Sequence, residues 1–247
     1  HRPLLLLDYD GTLAPFTPDR DRAHPYAGVR EALHELMART STRVVLISGR
    51  SASDLPRLIQ LDPMPEVWGA HGWERRLPDG AIEREPLPPL AGEALAEAVV
   101  WARKHWPATH IEQKASSIAL HWRGLETGER ARLERLAREA LQPLTRSSLL
   151  KLKPFDGGLE LRVKGRDKGT IVRLLLAETS DCIAYLGDDL TDEDAFAALS
   201  GSGLSVLVRP EMRETQAALW IRPPGELLAF LALWTEACTT GARAGNE

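Results

Sequence analysis

Short apolar runs alternate with helical patterns toward both ends of the chain. The runs end in polar or glycine-rich residues and cover residues 4–7, 44–47, 183–186 and 205–208. Continuous runs of this length are typical of strands that are buried on both faces of a parallel sheet. Helical spacing occurs over residues 27–38 and 193–199, with Thr191 as a candidate N-cap. The alternation predicts a doubly wound α/β core, in which ligands bind at the carboxyl ends of strands.

The middle of the chain predicts a separate α+β unit. Pro86, Pro88 and Pro89 mark its start, because proline interrupts regular structure. The patterns that follow are a helix, a strand pair, a second helix and a hairpin, over residues 91–104, 110–114 with 117–123, 128–141, and 149–155 with 159–163. The turn Asp156-Gly157-Gly158 favours the hairpin. We therefore predict a core domain over residues 1–86 and 164–247, and an inserted α+β domain over residues 87–163.

Composition places the chain among globular proteins. Its 247 residues are 43% hydrophobic and 27% charged, with a net charge of −4. This charge gives no general attraction to nucleic acid or to an anionic membrane. The apolar segments 4–7 and 226–237 are too short for a signal peptide or a membrane span. Cys182 and Cys238 are interpreted as buried thiols in a reducing compartment. We expect a cytoplasmic monomer with neither nucleic-acid nor membrane partners.

Two aspartates follow the first predicted strand directly. Asp8 and Asp10 lie two residues apart, and Gly11 lets the chain turn away sharply. Carboxylates at this edge of a sheet lie where substrates bind, and two of them suit a nucleophile and a proton donor in displacement at phosphorus. The alternative is that they solvate the strand end or cap a turn.

A cluster of acids follows the strand at residues 183–186. The segment Gly187-Asp188-Asp189-Leu190-Thr191-Asp192-Glu193-Asp194 carries five carboxylates. This density of negative charge needs a cation or hydrogen bonds to offset it, and oxygen ligands favour Mg²⁺ over Zn²⁺. We interpret Asp188 as a metal ligand and Asp192 as a supporting or capping residue. The alternative is an ordinary helix N-terminus.

Two further elements complete a candidate phosphate site. Ser48-Gly49-Arg50 follows the strand at residues 44–47 and offers a hydroxyl and backbone N–H groups to an oxyanion. Lys168 begins a predicted helix over residues 168–176. The helix macrodipole disfavours a cation at that position, and an anion bound there would explain the lysine.

Together these motifs resemble the haloacid dehalogenase superfamily and, within it, the trehalose-6-phosphate phosphatase family. The resemblance covers essentially the whole chain and predicts a haloacid dehalogenase-like core with the insert as a cap domain. It departs from the family at Val163, where proline is usual, and at Gln113, where aspartate is usual. The stretches that carry it are Asp8-Tyr9-Asp10-Gly11-Thr12-Leu13, Ser48-Gly49-Arg50, Gly69-Ala70-His71-Gly72, Glu112-Gln113-Lys114-Ala115-Ser116-Ser117, Leu159-Glu160-Leu161-Arg162 and Gly187-Asp188-Asp189-Leu190-Thr191-Asp192-Glu193-Asp194-Ala195-Phe196.

The resemblance implies a mechanism. Asp8 attacks phosphorus and becomes an aspartyl phosphate. Asp10 protonates the departing sugar oxygen and later takes a proton from the hydrolytic water. Mg²⁺ is held by Asp8, the main-chain carbonyl of Asp10, and Asp188.

The same resemblance implies roles for the residues around these carboxylates. Ser48, Gly49 and Lys168 bind the nonbridging phosphate oxygens. Asp189 and Asp192 support the metal ligands, and a direct contact of either with the metal is left open.

Substrate binding is expected from both predicted domains. The candidate residues are Arg50, His71, Gly72, Glu112, Lys114 and Glu160. His71 could equally be a structural histidine, and the three residues of the insert could instead form cross-strand salt bridges on its hairpins. Trp73 and Trp122 could stack on a sugar, although core packing is the more common role of such residues.

The sequence therefore predicts a Mg²⁺-dependent phosphohydrolase that converts trehalose 6-phosphate to trehalose and phosphate in trehalose biosynthesis. One alternative keeps the chemistry and changes the sugar phosphate, to sucrose phosphate or mannosyl-phosphoglycerate. The other is a non-catalytic domain that binds a sugar phosphate.

Overall fold

The computed structural model describes residues 2–17, 19–122, 124–155, 157–178 and 182–244, with twelve strands and seven α-helices among them. The strands are β1 Leu4–Leu7, β2 Arg43–Ile47, β3 Glu66–Gly69, β4 Glu74–Arg76, β5 Ile82–Arg84, β6 Ile111–Gln113, β7 Ser117–His121, β8 Leu150–Phe155, β9 Gly158–Val163, β10 Ile183–Gly187, β11 Leu204–Val208 and β12 Leu219–Ile221. The helices are α1 Val29–Arg39, α2 Leu55–Ile59, α3 Pro89–His105, α4 Thr127–Leu141, α5 Lys168–Leu176, α6 Glu193–Leu199 and α7 Gly225–Ala244. Arg123 in the predicted strand and Asp156 in the predicted turn lie outside the described residues.

An eight-stranded sheet forms the first of two compact units, which comprises His1–Glu83 and Asp167–Glu247. Its strand order is β12-β11-β10-β1-β2-β3-β4-β5. The strands from β12 to β3 pair in parallel, and β4 runs antiparallel to β3. Strand β1 lies between β10 and β2, with Leu7 opposite both Leu186 and Leu46. The carboxyl ends of these three strands are therefore adjacent, as a doubly wound sheet requires.

The four leucines of β1 are buried because helices cover both faces of this sheet. Leu5 and Leu7 belong to a core cluster that includes Leu33 of α1 and Leu231 of α7. Leu4 and Leu6 belong to a second cluster with residues of α5 and α6. Each leucine is at most 1% exposed, and burial of one such side chain contributes about 1.5–3 kcal/mol. The continuous apolar run follows from this two-sided burial.

The second compact unit, Arg84–Arg166, contains a four-stranded antiparallel sheet with strand order β6-β7-β9-β8. Helices α3 and α4 pack on the sheet. Alternate residues of β7 and β9 are apolar and buried, namely Ile118, Leu120, Leu159 and Leu161. The other alternating residues, such as Glu160 of β9 and His121 of β7, lie on the opposite face, because side chains alternate along a strand.

The structure confirms the α/β fold class and corrects several details. The sequence patterns missed strand β3, whose buried Glu66 interrupts the apolar run. Arg43 and Arg75 donate to the Glu66 carboxylate at 2.6 and 2.8 Å. Burial alone would raise the pKa of Glu66, but these arginines hold it below its ordinary value.

Two smaller predictions are wrong. Asp192, and not Thr191, is the N-cap residue of α6. Cys182 is exposed and Cys238 is half-buried, so the prediction of two buried thiols fails. Among the described residues, no helix is long and apolar enough to cross a membrane.

Candidate active site

The site is built around Asp8, the first residue after β1. The Asp8 N–H donates to the carbonyl of Leu186 in the neighbouring strand at 2.9 Å, which extends the sheet hydrogen bonding to the aspartate itself. Asp8 is buried, with 4% of the residue exposed. The Thr12 hydroxyl donates to Asp8 Oδ2 at 3.3 Å. The turn at residues 9–14 therefore folds back on the carboxylate.

A buried lysine compensates the charge of Asp8. Lys168 is the first residue of α5, and its Nζ donates to Asp8 Oδ1 and to Asp192 Oδ1, each at 2.7 Å. Burial disfavours the charged form, but Asp192 and Asp8 outweigh it and raise the pKa of Lys168 above its ordinary value. These two carboxylates are the anionic partners that explain a cation at the start of a helix.

Asp192 is completely buried and accepts four hydrogen bonds. Lys168 Nζ and the Tyr185 hydroxyl donate to its Oδ1, at 2.7 and 2.5 Å. The N–H groups of Asp188 and Asp189 donate to its Oδ2, at 3.1 and 2.9 Å. A carboxylate has about four acceptor positions, and these four donors occupy them. Asp192 connects Lys168 to the loop after β10.

The loop after β10 is held from its other side by arginine. Arg213 donates to the carbonyl of Asp189 at 2.8 Å and to that of Asp188 at 3.4 Å, and it pairs with Glu193. Arg209 also donates to the Asp188 carbonyl, at 3.4 Å. Sequence reasoning missed Tyr185, Arg209 and Arg213, because nothing in their local patterns marks them as neighbours of the acidic loop.

Three carboxylates come together at the end of the sheet. Oxygen atoms of Asp8, Asp188 and Asp192 lie within 4.8 Å of one another. Burial, together with the neighbouring carboxylates, raises the pKa of Asp8 to about 7, although Lys168 opposes the shift. Burial and the charges of Asp8 and Asp192 raise the pKa of Asp188 to about 9. When all three carboxyl groups are ionised, their negative charge exceeds what Lys168 offsets, and burial together with this excess is why protons bind to Asp8 and Asp188 more tightly than usual.

The donor set fits a divalent cation. Asp188 Oδ1 is buried and has no hydrogen-bond partner among the residues that the structure describes. A buried, unsatisfied carboxylate oxygen is costly unless a cation binds it. Oxygen donors without sulfur or imidazole are the ligands that Mg²⁺ prefers. Asp189, by contrast, is exposed, and its side chain accepts the N–H of Leu190 at 2.6 Å.

Gly11 leaves room for Asp188. Its φ is +85°, and a Cβ at this position would lie 2.0 Å from Asp188 Oδ2. Both the backbone conformation and the close approach therefore require glycine.

Arg50 joins the loop after β2 to Asp10. The guanidinium donates through Nε to Asp10 Oδ2 at 2.7 Å and through Nη2 to Asp10 Oδ1 at 2.6 Å. Arg50 is buried, whereas the Asp10 side chain is one-third exposed. Ser48 is also buried, and its Oγ accepts the Arg50 N–H at 3.2 Å, which leaves its own hydrogen available to donate. In the structure the Arg50 guanidinium contacts Asp10, and the predicted contact of Arg50 with substrate stays a prediction.

His71 lies against the same loop in an unusual conformation. Ala70, His71 and Gly72 all have positive φ values, of 49°, 58° and 93°. The His71 N–H donates to the Ser48 carbonyl at 3.3 Å, and a Cβ on Gly49 would lie 2.6 Å from the imidazole. Non-glycine residues in this region cost about 1–3 kcal/mol each and concentrate at functional sites.

The predicted substrate residues of the second unit form one cluster on its sheet. Lys114 Nζ lies 3.2 Å from Glu160 Oε1 and 3.6 Å from Glu112. The Ser117 hydroxyl donates to Glu160 at 2.7 Å. Burial raises the pKa of Glu160, but Lys114 and the Ser117 hydrogen bond bring it below its ordinary value. His121, which sequence reasoning missed, lies 3.2 Å from Glu112.

The structure thus brings the predicted residues together in two groups. The group in the first unit contains Asp8, Asp10, Ser48, Gly49, Arg50, His71, Gly72, Lys168, Asp188, Asp189 and Asp192. The group in the second unit contains Glu112, Lys114 and Glu160.

The chain is similar in sequence to known trehalose-phosphatases. The family model described as trehalose-phosphatase matches residues 6–219. Trehalose-phosphate phosphatases of Mycobacterium marinum and Mycobacterium tuberculosis are each 32% identical to the chain, over 93% and 84% of its length. The chain spans 60% and 54% of the length of these two relatives.

The chain is also similar to solved structures of trehalose-6-phosphate phosphatases. Trehalose-6-phosphate phosphatase from Aspergillus fumigatus is 26% identical, with a TM-score of 0.65 over 96% of this chain and 93% of that one. The C-terminal domain of the C. albicans enzyme has a TM-score of 0.75 over 95% of this chain and 92% of that one. At 22% identity, the second likeness concerns the fold alone.

Proposed function

The chain belongs to the trehalose-phosphatase family, and from the geometry around Asp8 we propose that it is a Mg²⁺-dependent phosphohydrolase. Its proposed reaction converts trehalose 6-phosphate to trehalose and phosphate. One observation carries the proposal: a buried nucleophile candidate, Asp8, is paired with Lys168 at 2.7 Å beside the unsatisfied oxygen of Asp188. A structural salt bridge among Asp8, Asp192 and Lys168 would not need a further carboxylate, that of Asp188, with a buried and unsatisfied oxygen beside it.

Asp8 and Asp188 are the side chains proposed to hold Mg²⁺, with the main-chain carbonyl of Asp10 as a further ligand. When bound, the cation supplies positive charge that offsets the carboxylates and the phosphoryl group. Asp192 supports this set through Lys168 and the loop N–H groups, and Asp189 lies at the exposed edge of the same loop.

The proposed reaction has two steps. In the first, an Asp8 oxygen attacks phosphorus, the bond from phosphorus to the sugar oxygen breaks, and Asp10 gives its proton to that oxygen. In the second, water attacks phosphorus, the bond to Asp8 breaks, and Asp10 takes a proton from the water. Arg50 holds the Asp10 carboxylate through two hydrogen bonds, which suits the base of the second step. In the first step Asp10 has to carry a proton and release Arg50.

Phosphate contacts are proposed for Ser48, Gly49 and Lys168. The Ser48 hydroxyl and the Gly49 N–H follow β2, next to the end of β1. Lys168 already contacts Asp8 and can follow the charge as it passes to the phosphoryl oxygens. Asp192 keeps the lysine in place during that transfer.

Sugar contacts are proposed for His71 and Gly72 in the first unit and for Glu112, Lys114 and Glu160 in the second. Carboxylates accept hydrogen bonds from hydroxyl groups, and an ammonium group donates to hydroxyl oxygens. Lys114 and Glu160 are mostly buried, so their mutual orientation is maintained before a ligand binds. Arg50, whose guanidinium contacts Asp10, is proposed as a further substrate contact in the first unit.

Phosphate release tests the proposal on a panel of trehalose 6-phosphate, sucrose 6-phosphate, mannosyl-phosphoglycerate and glucose 6-phosphate, with Mg²⁺ and with EDTA. We expect metal-dependent turnover with preference for trehalose 6-phosphate. Preference for another member of the panel would refute trehalose 6-phosphate as the substrate and would leave the proposed phosphatase chemistry unchanged. Absence of turnover of every member by folded protein would favour a non-catalytic binding domain.

Two substitutions test the assigned roles. We expect Asp8→Asn to abolish turnover and Asp10→Asn to reduce kcat by about 10²–10⁴-fold, which is the contribution of a general acid. Asp194→Asn, at an exposed position of α6, is the matched control and should retain full activity. Wild-type turnover by Asp8→Asn, with deamidation excluded by mass spectrometry, would refute the nucleophile.

A further inference from the structure

Two aromatic rings meet over a glycine on the polar face of the second unit's sheet. His121 of β7 and Phe155 of β8 both lie opposite Gly158 of β9. Their ring centroids are 5.2 Å apart with an interplanar angle of 65°. A Cβ on Gly158 would lie 1.9 Å from Phe155 Cζ, so the Phe155 ring extends across the glycine. The absence of a side chain at Gly158 allows this arrangement.

The charged cluster occupies the adjacent row of the same face. Glu112, Ala119, Glu160 and Lys153 are aligned across β6, β7, β9 and β8. They are two residues from the aromatic row along β7, β8 and β9, and side chains two apart on a strand share a face. The His121 Nε2 lies 3.2 Å from Glu112 Oε2 and joins the two rows. Between Glu112 and Glu160 lies the small side chain of Ala119.

This face therefore combines an exposed ring with adjacent hydrogen-bonding groups. Phe155 is 39% exposed. Glu112 and His121 are each 27% exposed at the side chain. A pyranose has the matching surfaces, because its C–H groups form an apolar face and its hydroxyl groups project around the rim. Binding sites for small ligands use this combination of apolar wall and few oriented polar groups.

The tryptophans that the sequence suggested for this role are unsuitable. Trp73 and Trp122 are 5% and 3% exposed, so both are packing residues. Trp106, whose ring lies 6.4 Å from that of Trp122, is also buried. Phe155 is more exposed than any of these three tryptophans.

We propose that Phe155 and His121 form an aromatic wall against which a pyranose ring of the sugar-phosphate substrate packs. In this arrangement Glu112 and Glu160 accept hydrogen bonds from the hydroxyl groups of the same ring, and His121 orients Glu112. The inference rests on the proposed function, because it assigns the ring to the substrate of that reaction. It adds a specificity-determining contact that the hydroxyl-binding residues do not supply, namely recognition of the apolar sugar face.

The test compares Phe155→Ala, Phe155→Trp and the control Leu90→Ala. Leu90 is an exposed apolar residue of the same unit, on α3. Two quantities are measured: kcat/KM for trehalose 6-phosphate, and its Kd by calorimetry in the Asp8→Asn background, where turnover is absent. Circular dichroism verifies that each variant is folded.

We expect Phe155→Ala to lower kcat/KM and to raise Kd, each by about threefold to tenfold, which is the size of one lost aromatic contact. Phe155→Trp should restore most of the loss, because it keeps an aromatic face, and Leu90→Ala should match the parent. His121→Phe keeps an aromatic ring in the wall but loses the hydrogen bond to Glu112. Its kcat/KM and Kd should therefore lie between those of the parent and those of His121→Ala.

Failure of this inference differs from failure of the proposed function. If the parent hydrolyses trehalose 6-phosphate and Phe155→Ala equals Leu90→Ala in kcat/KM and Kd, the aromatic wall is refuted and the function stands. If the parent prefers another sugar phosphate, the two variants are compared with that substrate, and equal values for Phe155→Ala and Leu90→Ala again refute the aromatic wall. If the parent hydrolyses no sugar phosphate, both proposals are overturned.

Discussion

Replacement of Asp192 by asparagine removes one charge from the buried network behind the site and changes little else in shape. Asp192 is completely buried and accepts from Lys168, Tyr185 and the N–H groups of Asp188 and Asp189. Asparagine has one carbonyl oxygen and one NH₂ group. Whichever way the amide is oriented, two of the four donors face an NH₂ group that cannot accept.

The magnitude follows from the two lost acceptor positions. A hydrogen bond to a charged group contributes about 1.5–3 kcal/mol, so we expect Asp192→Asn to lower the free energy of unfolding by about 3–6 kcal/mol. For a chain of this size, 1 kcal/mol corresponds to about 2–4 °C in Tm, so the midpoint should fall by at least about 6 °C. Lys168 keeps its contact with Asp8, and this prevents a larger loss.

Thermal and urea unfolding followed by circular dichroism measure this difference. EDTA is present throughout, because a bound cation would stabilise the folded state and mask part of the effect. The matched control is Asp194→Asn, which removes an exposed carboxylate from the same helix. If the two variants unfold within about 1 kcal/mol of each other, an effect typical of surface positions, then the four hydrogen bonds of Asp192 do not support the site as described.

Two further perturbations address the metal site. Gly11→Ala would place a Cβ 2.0 Å from Asp188 Oδ2, so we expect it to abolish the thermal stabilisation by Mg²⁺. The control is Gly201→Ala, at φ +75° with no atom nearby. It should lower the free energy of unfolding by only about 1 kcal/mol and keep the Mg²⁺ response. If Mg²⁺ raises the Tm of both variants equally, then the close approach of Gly11 to Asp188 has no role in metal binding. The pKa values of Asp8 and Asp188, about 7 and about 9 against 3.8 for the free side chain, mean that both groups bind protons more tightly in the folded state. The metal-free protein should therefore lose stability as pH rises from about 4 toward about 9. Mg²⁺ requires deprotonated ligands, so it should raise Tm more at about pH 8.5 than at about pH 6. Melting curves with Mg²⁺ and with EDTA check this, and a stabilisation that does not change with pH would contradict it.

The sequence by itself determined the fold class and placed the candidate site residues at the ends of the core strands. The β1 leucines indicated a strand covered on both faces, and Asp8 directly after it indicated the carboxyl edge of the sheet. Helices α5 and α6 begin and end at the residues that helical periodicity predicts. These features are local, because hydrophobic periodicity and strand ends are properties of a few consecutive residues.

Only the tertiary structure decided how the site residues are paired. Lys168 contacts Asp8 across 160 positions of sequence, and Arg50 contacts Asp10 across 40. No local pattern predicts such pairs, because they depend on the order in which strands enter the sheet. Asp192 occupies the N-cap position of α6, but its side chain makes no capping hydrogen bond to that helix. Its carboxylate instead accepts from Tyr185 and Lys168, which lie on β10 and α5. The Phe155 ring likewise meets His121 because two strand registers converge on Gly158, and the register of a sheet is set by the packing of the whole unit.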